Sequence, residues 1–314
     1  MNFKKSYIIA TMLCFIILIS ACSNQPISKK TEEIKNINLG IMSDTTGIPL
    51  IVAQELGYFT DENVNIDLHV FFSAIDRDAA VQANQLNSIS SDLVSVGLLK
   101  ESGNNFTIIS TTETEYKLLS SPKEKGTSLD SFHNKKIGLS TNTLMEYLVD
   151  MIISKHKLER IEKVNIPKMP IRLEMLNNNQ IDGAILPEPL GSLSLAQGSS
   201  VLVSNKDLDL YPGVLLFNKE FVQENKNVMI GFANAYNRAV DYINSHGIVE
   251  FRTQINKTLS FSDEGFAIIK NSKFSHMSLP PQKSVSSAMN WLYKKELISK
   301  VYTYEEITYD LNNQ

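Results

Sequence analysis

The hydrophobic pattern of residues 38–92 predicts a unit of three strands joined by two helices. Runs of apolar and β-branched residues at 38–42 and 65–72 are typical of buried strands. Residues 49–56 and 77–86 instead have the spacing of amphipathic helices. Strands that alternate with helices pair in parallel through right-handed crossovers. The segment therefore predicts the first part of an α/β fold with a parallel sheet.

Each predicted strand of this unit ends in residues with hydroxyl or carboxylate groups. In an open parallel sheet, the carboxyl ends of the strands border the crevice where ligands bind. We therefore expect these side chains to share one rim and to contact a ligand, although serine and threonine also cap helices in many proteins. The candidate ligand contacts from this unit are Ser43, Asp44, Thr45, Ser91 and Asp92.

Residues 136–186 repeat this order of elements. The pattern predicts strands at 136–139, 163–166 and 182–186, with helices at 144–156 and 171–179. Arg77 and Arg172 each stand eight residues before a glutamine, near the end of a predicted helix. The repeat predicts a second α/β lobe related to the first. The first polar strand end of this lobe supplies the candidate ligand contacts Ser140, Thr141, Asn142 and Thr143.

Two further segments indicate how the chain passes between the lobes. Residues 116–122 have an extended pattern, and residues 214–217 form a short apolar strand. We expect the chain to leave the first lobe near residue 116 and to rejoin it near residue 213, which gives a two-stranded hinge. The predicted limits are 36–115 and 213–314 for the first lobe and 116–212 for the second, with the C-terminal helices covering the first sheet.

The amino-terminal residues have the features of a lipoprotein signal. Lys4 and Lys5 precede an apolar run at 7–19, which has the length of a signal-peptide core and is short for a membrane span. Ala21 and Cys22 then resemble a lipobox, which implies removal of residues 1–21 and acylation of Cys22. A signal anchor and a secreted protein without lipid are the alternatives. Residues 22–35 are polar and are expected to tether the folded part to the membrane.

Composition and charge narrow the classes of function. The 314 residues are 43% hydrophobic and 20% charged, as in an ordinary globular protein. The formal charge is −4, and removal of Lys4 and Lys5 with the signal changes it to −6, which argues against nucleic acid as a partner. Cys14 leaves with the same segment, so no disulfide is expected. The five histidines lack the spacing of metal ligands, and we expect neither a metal nor a cofactor.

Four parts of the chain resemble the solute-binding proteins of nitrate, sulfonate and taurine import systems, a group whose relatives bind thiamine-precursor pyrimidines. They are PLIVAQELGYF at 49–59, RDAAVQANQL at 77–86, RLEMLNNNQIDGAILPEP at 172–189 and the closing helices. The similarity spans nearly all of residues 37–310. It implies a type II periplasmic-binding-protein fold, in which two Rossmann-like lobes enclose a cleft. The partners it implies are an ABC permease and its ATPase.

Two arginines near the predicted cleft have several possible roles. Arg77 lies in the first turn of a helix, where a cation opposes the helix dipole. It could bind a carboxylate or sulfonate of the ligand, or it could pair with Asp76, Asp78 or Glu101. Arg172 has the same options, and a salt bridge across the cleft is a third. Arg77 is included among the candidate ligand contacts.

Acidic residues give the predicted cleft a mixed charge. Glu188 stands between two prolines at the end of a strand, and the resemblance implies that its side chain faces the cleft. Together with Asp44 and Asp92, this candidate contact favours an amine or a ring N–H on the ligand. A zwitterion or a polar heterocycle is therefore favoured over nitrate or a simple sulfonate. Tyr116 and Tyr211 could stack on such a ring or could pack the hinge.

These patterns together predict a lipid-anchored protein at the outer face of the cytoplasmic membrane. It is expected to capture a small polar or zwitterionic solute by hinge closure and to deliver that solute to the permease. We expect a monomer with no catalytic residues. An enzyme on the same fold that acts on a pyrimidine or a related metabolite is the main alternative, and an adhesin-like lipoprotein is a third class.

Overall fold

The computed structural model describes residues 36–311, so the predicted signal peptide, Cys22 and the tether lie outside the described residues. Strands form where the apolar, β-branched runs predict them, to within two residues at each end. The strands are β1 (Asn36–Met42), β2 (Asn65–Phe71), β3 (Ser88–Asp92), β4 (Phe106–Thr111), β5 (Tyr116–Ser120), β6 (Lys136–Leu139), β7 (Glu162–Asn165), β8 (Gly183–Pro187), β9 (Ser200–Ser204) and β10 (Gly213–Asn218).

Helices join these strands and make up most of the chain after β10. Short 3-10 turns occur at Thr45–Gly47, Pro122–Glu124, Leu129–Ser131 and Val249–Phe251. The α-helices are α1 (Ile48–Glu55), α2 (Tyr58–Asp61), α3 (Ala74–Gln82), α4 (Leu93–Glu101), α5 (Leu144–His156), α6 (Met169–Asn177), α7 (Leu190–Ala196), α8 (Lys219–Glu224), α9 (Lys226–His246), α10 (Arg252–Leu259), α11 (Asp263–Ile269), α12 (Gln282–Lys294) and α13 (Tyr304–Ile307).

The strands form two five-stranded sheets with the same arrangement. The first sheet has the order β2-β1-β3-β10-β4, and the second has the order β7-β6-β8-β5-β9. We call the first sheet with its packed helices the first lobe, and the second sheet with its helices the second lobe. The predicted α/β class with two related lobes is confirmed.

The predicted parallel pairing of the strands within residues 38–92 is confirmed, and each complete five-stranded sheet also contains one strand antiparallel to both of its neighbours. β1 pairs in parallel with β2 and β3, and β6 pairs in parallel with β7 and β8. β10 and β5 each run antiparallel to both of their neighbours. Both of these strands arrive directly from the other lobe, without a crossover helix, so they enter the sheet in the opposite direction. Both sheets are therefore mixed.

The chain passes between the sheets twice, at 112–115 and at 205–212. The two crossings are tied to the neighbouring strands by hydrogen bonds. The Thr112 N–H donates to the Gly213 carbonyl oxygen (2.9 Å), and the Tyr116 N–H donates to Asn205 Oδ1 (2.8 Å). The exact lobe limits at 115/116 and 212/213 stay a prediction.

Two large groups of buried apolar residues explain where the C-terminal helices pack. One face of α9, which includes Phe232, is buried with β1, β10 and α1, and the Phe232 ring lies 5.1 Å from that of Phe217. The apolar face of α12, which includes Met289 and Leu292, is buried with α4 and α5. Among residues 36–311, no helix has the length and hydrophobicity needed to cross a bilayer.

Candidate ligand-binding site

A cavity lies between the two sheets, where their parallel strands end. Its volume is about 40 Å³, well below the roughly 300–1,000 Å³ of pockets for drug-sized ligands. The Met169 N–H donates to the Phe72 carbonyl oxygen (3.2 Å), which joins the lobes beside the cavity. The lobes are therefore close together in this conformation. The cavity is lined by Met42, Asp44, Thr46, Ala74, Arg77, Ser90, Ser91, Asp92, Tyr116, Ser140, Thr143, Leu144, Met145, Pro167, Met169 and Arg172.

The predicted ligand contacts divide into two groups. Those that line the cavity come from both lobes and are Asp44, Arg77, Ser91, Asp92, Ser140 and Thr143. Those that do not line it are Ser43, Thr45, Thr141, Asn142 and Glu188. The structure therefore brings together the polar ends of β1, β3 and β6, as the strand order predicts.

Asp44 follows β1 and caps the turn before α1. Its Oδ1 accepts hydrogen bonds from the N–H (2.9 Å) and Oγ1 (2.6 Å) of Thr46, and Ser90 Oγ donates to the same Thr46 hydroxyl (2.9 Å). Burial raises the pKa of the Asp44 carboxyl, and the Thr46 hydrogen bonds and the Arg77 charge oppose that shift only in part. The second carboxylate oxygen, Oδ2, has no hydrogen bond among the described residues and is available at the cavity.

Asp92 ends β3 and caps α4. Its Oδ1 accepts from the N–H groups of Val94 and Ser95, both at 2.9 Å. Burial raises the pKa of this carboxyl, although the nearby Arg77 charge lowers it in part. Asp92 Oδ2 lies 3.9 Å from Arg77 Nη2, which is an ion-pair distance and is too long for a hydrogen bond.

The Arg77 guanidinium is held mainly by the protein itself. It donates from Nε to Asp78 Oδ1 (2.9 Å), from Nη1 to the Ser90 carbonyl oxygen (3.1 Å) and from Nη2 to Ser95 Oγ (2.8 Å). Burial alone would lower the pKa of Arg77, but the charges of Asp78 and Asp92 outweigh burial and raise it. The side chain thus forms the structural bridge with Asp78 that was one of its expected roles, while it also lines the cavity.

Tyr116 lies close to the charged side chains of the first lobe that line the cavity. Burial raises the pKa of its phenol well above the usual value, and the negative charges of Asp44 and Asp92 raise it further. The Arg77 charge acts in the opposite direction. The ring therefore lies within electrostatic range of both carboxylates at the cavity wall.

Arg172 is buried in the second lobe without an acidic partner. Its Nε, Nη1 and Nη2 each donate to a main-chain carbonyl oxygen, of Ile166 (3.0 Å), Ile185 (2.8 Å) and Pro167 (3.2 Å). Burial lowers its pKa to about 9. A guanidinium has five N–H donors, so two of them have no acceptor among the described residues. Arg172 therefore supplies a positive charge that no carboxylate of the described chain neutralises by direct contact.

Two buried hydroxyls at the cavity have no hydrogen-bond partner among the described residues. They are Ser91 Oγ in the first lobe and Ser140 Oγ in the second, and their residues are 6% and 3% exposed. Buried polar groups are nearly always paired, with protein, water or ligand. Thr143, between Ser140 and α5, is engaged as the helix cap, because its Oγ1 accepts from the Met145 N–H (3.2 Å) and donates to the Ser140 carbonyl oxygen (2.8 Å).

A buried carboxylate of α5 holds the loop that carries Ser140. Glu146 Oε2 accepts from the Asn142 N–H (2.7 Å), and Oε1 accepts from Lys163 (2.8 Å) and from Lys295 (2.6 Å), which directly follows α12. Burial alone would raise the pKa of Glu146, but the hydrogen bonds from both lysines outweigh it and lower the pKa to about 2. The ionised carboxylate therefore links the loop at 140–143 to a helix of the first lobe.

Aromatic side chains extend this contact between α5 and α12. The Tyr147 and Trp291 rings meet edge to face, with centroids 5.5 Å apart. Trp291 Nε1–H donates to Asp150 Oδ2 (3.0 Å), and Tyr147 Oη lies 2.8 Å from Ser287 Oγ. These contacts between α5 and α12 therefore hold in place the start of α5, which lines the cavity.

Two predicted contacts after β1 are used by other parts of the chain. Ser43 Oγ donates to the Leu259 carbonyl oxygen at the end of α10. Thr45 Oγ1 donates to Thr114 Oγ1 (2.9 Å) in the first crossing. Both hydroxyls therefore fasten the strand end to distant segments.

The other three predicted contacts outside the cavity also have protein partners. The Thr141 N–H donates to Asn165 Oδ1 (3.1 Å), and Asn142 has a left-handed backbone with φ of 56°, so that the loop turns at this point. Glu188 forms an ion pair with Lys117 on the adjacent strand, and its carboxylate also accepts from Ser192 Oγ (2.8 Å). Their assignment as ligand contacts stays a prediction.

The cavity residues outside the predicted set differ in how clearly the sequence indicates them. Thr46 and Ser90 belong to the polar strand ends and could have been included with their neighbours. For Tyr116 and Arg172, the sequence supports a structural role as well as a role at the cleft. The apolar lining residues Met42, Ala74, Leu144, Met145, Pro167 and Met169 are indistinguishable from core positions in the sequence. Across residues 36–311, no group of three His, Cys, Asp or Glu side chains is placed to hold a metal.

Comparison with known protein families identifies the group to which this fold and cavity belong. A family model described as NMT1/THI5 like matches residues 44–247, which is more than half of the chain. The chain belongs to this family. The relatives of this NMT1/THI5-like chain confirm its resemblance to the solute-binding proteins of sulfonate and nitrate import systems.

Individual relatives of the NMT1/THI5-like chain are distant in sequence and close in fold. A Bacillus subtilis (strain 168) protein named "Putative aliphatic sulfonates-binding protein" is 23% identical over 255 residues, or 77% of this chain and 75% of the relative. The periplasmic aliphatic sulphonate binding protein SsuA from Escherichia coli superposes with a TM-score of 0.72 at 13% identity, over 88% of this chain and 92% of SsuA.

The periplasmic nitrate-binding protein NrtA from Synechocystis PCC 6803 gives a TM-score of 0.67 at 12% identity, over 87% of this chain and 84% of NrtA. These structural likenesses establish the periplasmic-binding-protein fold. The homologues of the chain are substrate-binding components of import systems, which supports a solute-binding role.

Proposed function

We propose that this protein is the lipid-anchored solute-binding component of an ABC importer. It captures a small polar or zwitterionic organic solute between its two lobes and delivers that solute to a permease driven by an ATPase. The observation that carries this proposal is the pair of unpartnered buried hydroxyls, Ser91 and Ser140, which face one cavity from opposite lobes. A solute that forms a hydrogen bond with each of these hydroxyls would satisfy both at once.

Binding is coupled to the arrangement of the lobes. Solute enters when the lobes are apart, and closure removes it from water between the two polar strand ends. The closed form is favoured only to the extent that the solute binds it better than the open form. The small cavity and the hydrogen bond between Met169 and Phe72 in the described conformation support a form in which the lobes are close together.

Thermal unfolding of the full chain in mild detergent tests the binding role. The panel comprises sulfonates, amino acids, thiamine-precursor pyrimidines and nitrate. A true ligand at about 100 times its dissociation constant adds roughly 2.7 kcal/mol to the free energy of unfolding, which gives a clear rise in melting temperature. The absence of any shift across the panel and a broad metabolite library would contradict the proposal, and turnover of a compound would favour an enzyme instead.

The membrane anchor requires a separate test because Cys22 lies outside the described residues. We expect the wild-type chain to partition with membranes and to carry acyl chains on Cys22. Cys22→Ala should abolish both properties without changing the ligand-induced rise in melting temperature. Intact mass and membrane fractionation of the two chains provide the measurement. An unmodified Cys22 in a chain that keeps residues 1–21 would support a signal anchor.

A further inference from the structure

We infer that the solute carries a cationic N–H group that lies against Asp44 and Asp92 of the first lobe, while an anionic or carbonyl group lies against Arg172 and Ser140 of the second. This inference rests on the proposed function and specifies its ligand. It also separates this chain from relatives whose names refer to simple sulfonates or to nitrate.

The first argument is the unequal charge of the two cavity walls. Both carboxylates that line the cavity, Asp44 and Asp92, belong to the first lobe. Arg77 lies 3.9 Å from Asp92, but its shortest ionic contact is with Asp78, at 2.8 Å. The first wall therefore keeps an excess of negative charge. The lining residues of the second lobe include Arg172 and no acidic side chain.

The second argument is the acceptor capacity that remains on the first wall. One oxygen of each carboxylate already accepts main-chain N–H groups, whereas Asp44 Oδ2 accepts none and Asp92 Oδ2 has only the distant Arg77 contact. A protonated amine has three donors and no acceptor. It can therefore donate hydrogen bonds to carboxylate oxygens of the first wall and compensate their charge.

The third argument is the donor capacity that remains on the second wall. Arg172 keeps two N–H groups without an acceptor, and the Ser140 hydroxyl is unpartnered and 3% exposed. Both groups line the cavity at the amino-terminal side of helices α5 and α6. An acceptor on the solute, such as a carboxylate, sulfonate or carbonyl oxygen, would use these donors.

Selectivity follows from the same arrangement. A simple anion held by Arg172 would leave the excess negative charge of the first wall uncompensated, in a buried site where charges interact strongly. A simple amine would leave Arg172 unneutralised. A solute that carries both groups satisfies both walls. A compound with only one of the two groups leaves one wall unpaired and therefore binds more weakly.

Calorimetric titration of the full chain with matched small compounds tests this inference. One set is taurine, ethanesulfonate and ethylamine, and another is β-alanine, propanoate and ethylamine. We expect at least one zwitterion to bind at least about tenfold more tightly than its amine-free and acid-free counterparts. Equal or tighter binding of ethanesulfonate or propanoate would overturn the inference and leave the proposed function intact.

A variant and an independent measurement keep the test decisive. Asp44→Asn should weaken binding of the zwitterion by about tenfold or more, whereas Asp67→Asn, at an exposed carboxylate of β2, should not. If Asp44→Asn fails to fold, the ratios of binding affinity measured for the wild-type chain still test the inference. Native mass spectrometry of the purified chain, followed by identification of any carried-over molecule, covers solutes outside the panel. A carried molecule without a basic N–H group would overturn the inference, and a metabolite library without any binder would overturn the proposed function as well.

Discussion

Arg77 and Arg172 make the same main-chain contact in the two lobes. Each donates from Nη1 to the carbonyl oxygen of the residue thirteen positions later, Ser90 at 3.1 Å and Ile185 at 2.8 Å. The two arginines differ in their charged surroundings, because Arg77 has Asp78 and Asp92 while Arg172 has main-chain oxygens alone. The internal repeat has thus kept the position of the cation and changed what surrounds it.

This difference predicts different pH dependences of stability for two matched variants. Arg172→Met should destabilise the protein by about 3 kcal/mol, because three carbonyl oxygens lose a charged donor, and that loss should be nearly constant from about pH 5 to about pH 8. Arg77→Met leaves Asp78 and Asp92 without their cation, so its loss should shrink as the pH falls and the buried Asp92 carboxyl, whose pKa is already raised, becomes protonated. Urea unfolding at several pH values measures both. Parallel pH profiles for the two variants would contradict the assigned partners.

The Glu146 carboxylate predicts a second pH effect. Its pKa is lowered to about 2 in the folded protein from 4.5, so its stabilisation is fully present above pH 4.5 and is lost as the pH falls toward 2. Glu146→Gln should be less stable than wild type at neutral pH by about 1–3 kcal/mol, and the difference should decrease with acidification through this window. Chemical unfolding between these pH values provides the measurement. Glu296→Gln, at an exposed position, is the control and should show no such convergence.

Gly97 of α4 is predicted to be intolerant of a single methyl group. A Cβ atom at this position would lie 2.5 Å from Leu292 Cδ1 and 3.1 Å from Met289 Cε on α12. Gly97→Ala should therefore cost about 1–3 kcal/mol of stability through overpacking. Gly191→Ala in α7 is the matched control, because its nearest neighbour is at 3.4 Å and alanine favours helix by about 0.5–1 kcal/mol. Melting temperatures of the two variants should move in opposite directions.

The hydroxyl pair of Tyr147 and Ser287 reports whether α5 and α12 are in contact. A double-mutant cycle with Tyr147→Phe and Ser287→Ala should give a coupling energy of about 0.5–1.5 kcal/mol, the contribution of one hydrogen bond. Urea unfolding of the four chains provides the measurement. A coupling energy near zero, with both single variants folded, would show that the two helices are apart in solution.

The regular elements could be predicted from the sequence because they depend on local pattern. The β-branched runs of β1 and β2 and the exact match of α5 to residues 144–156 follow from periodicity alone. The antiparallel insertion of β5 and β10 could not be found in this way, since strand direction depends on where the chain comes from. That information lies in the topology and not in any single segment.

The candidate site was predictable to the extent that strand ends determine it. Asp44, Ser91, Asp92 and Ser140 meet because the carboxyl ends of parallel strands share one edge. The contact of Ser43 with Leu259 could not be predicted, because the two residues are more than two hundred positions apart in the chain. Such pairings are set by the packing of α10, which no pattern near Ser43 encodes.

The position of β10 also has a consequence for biosynthesis. This strand separates β3 from β4 in the finished sheet, yet it is translated about one hundred residues after β4. The second sheet is built from one uninterrupted stretch of chain, so it can be completed before the ribosome delivers the missing strand of the first. This topology favours completion of the second sheet before the first, whereas the amino-terminal part usually folds first during synthesis. The first sheet stays incomplete, and accessible to chaperones, until β10 emerges.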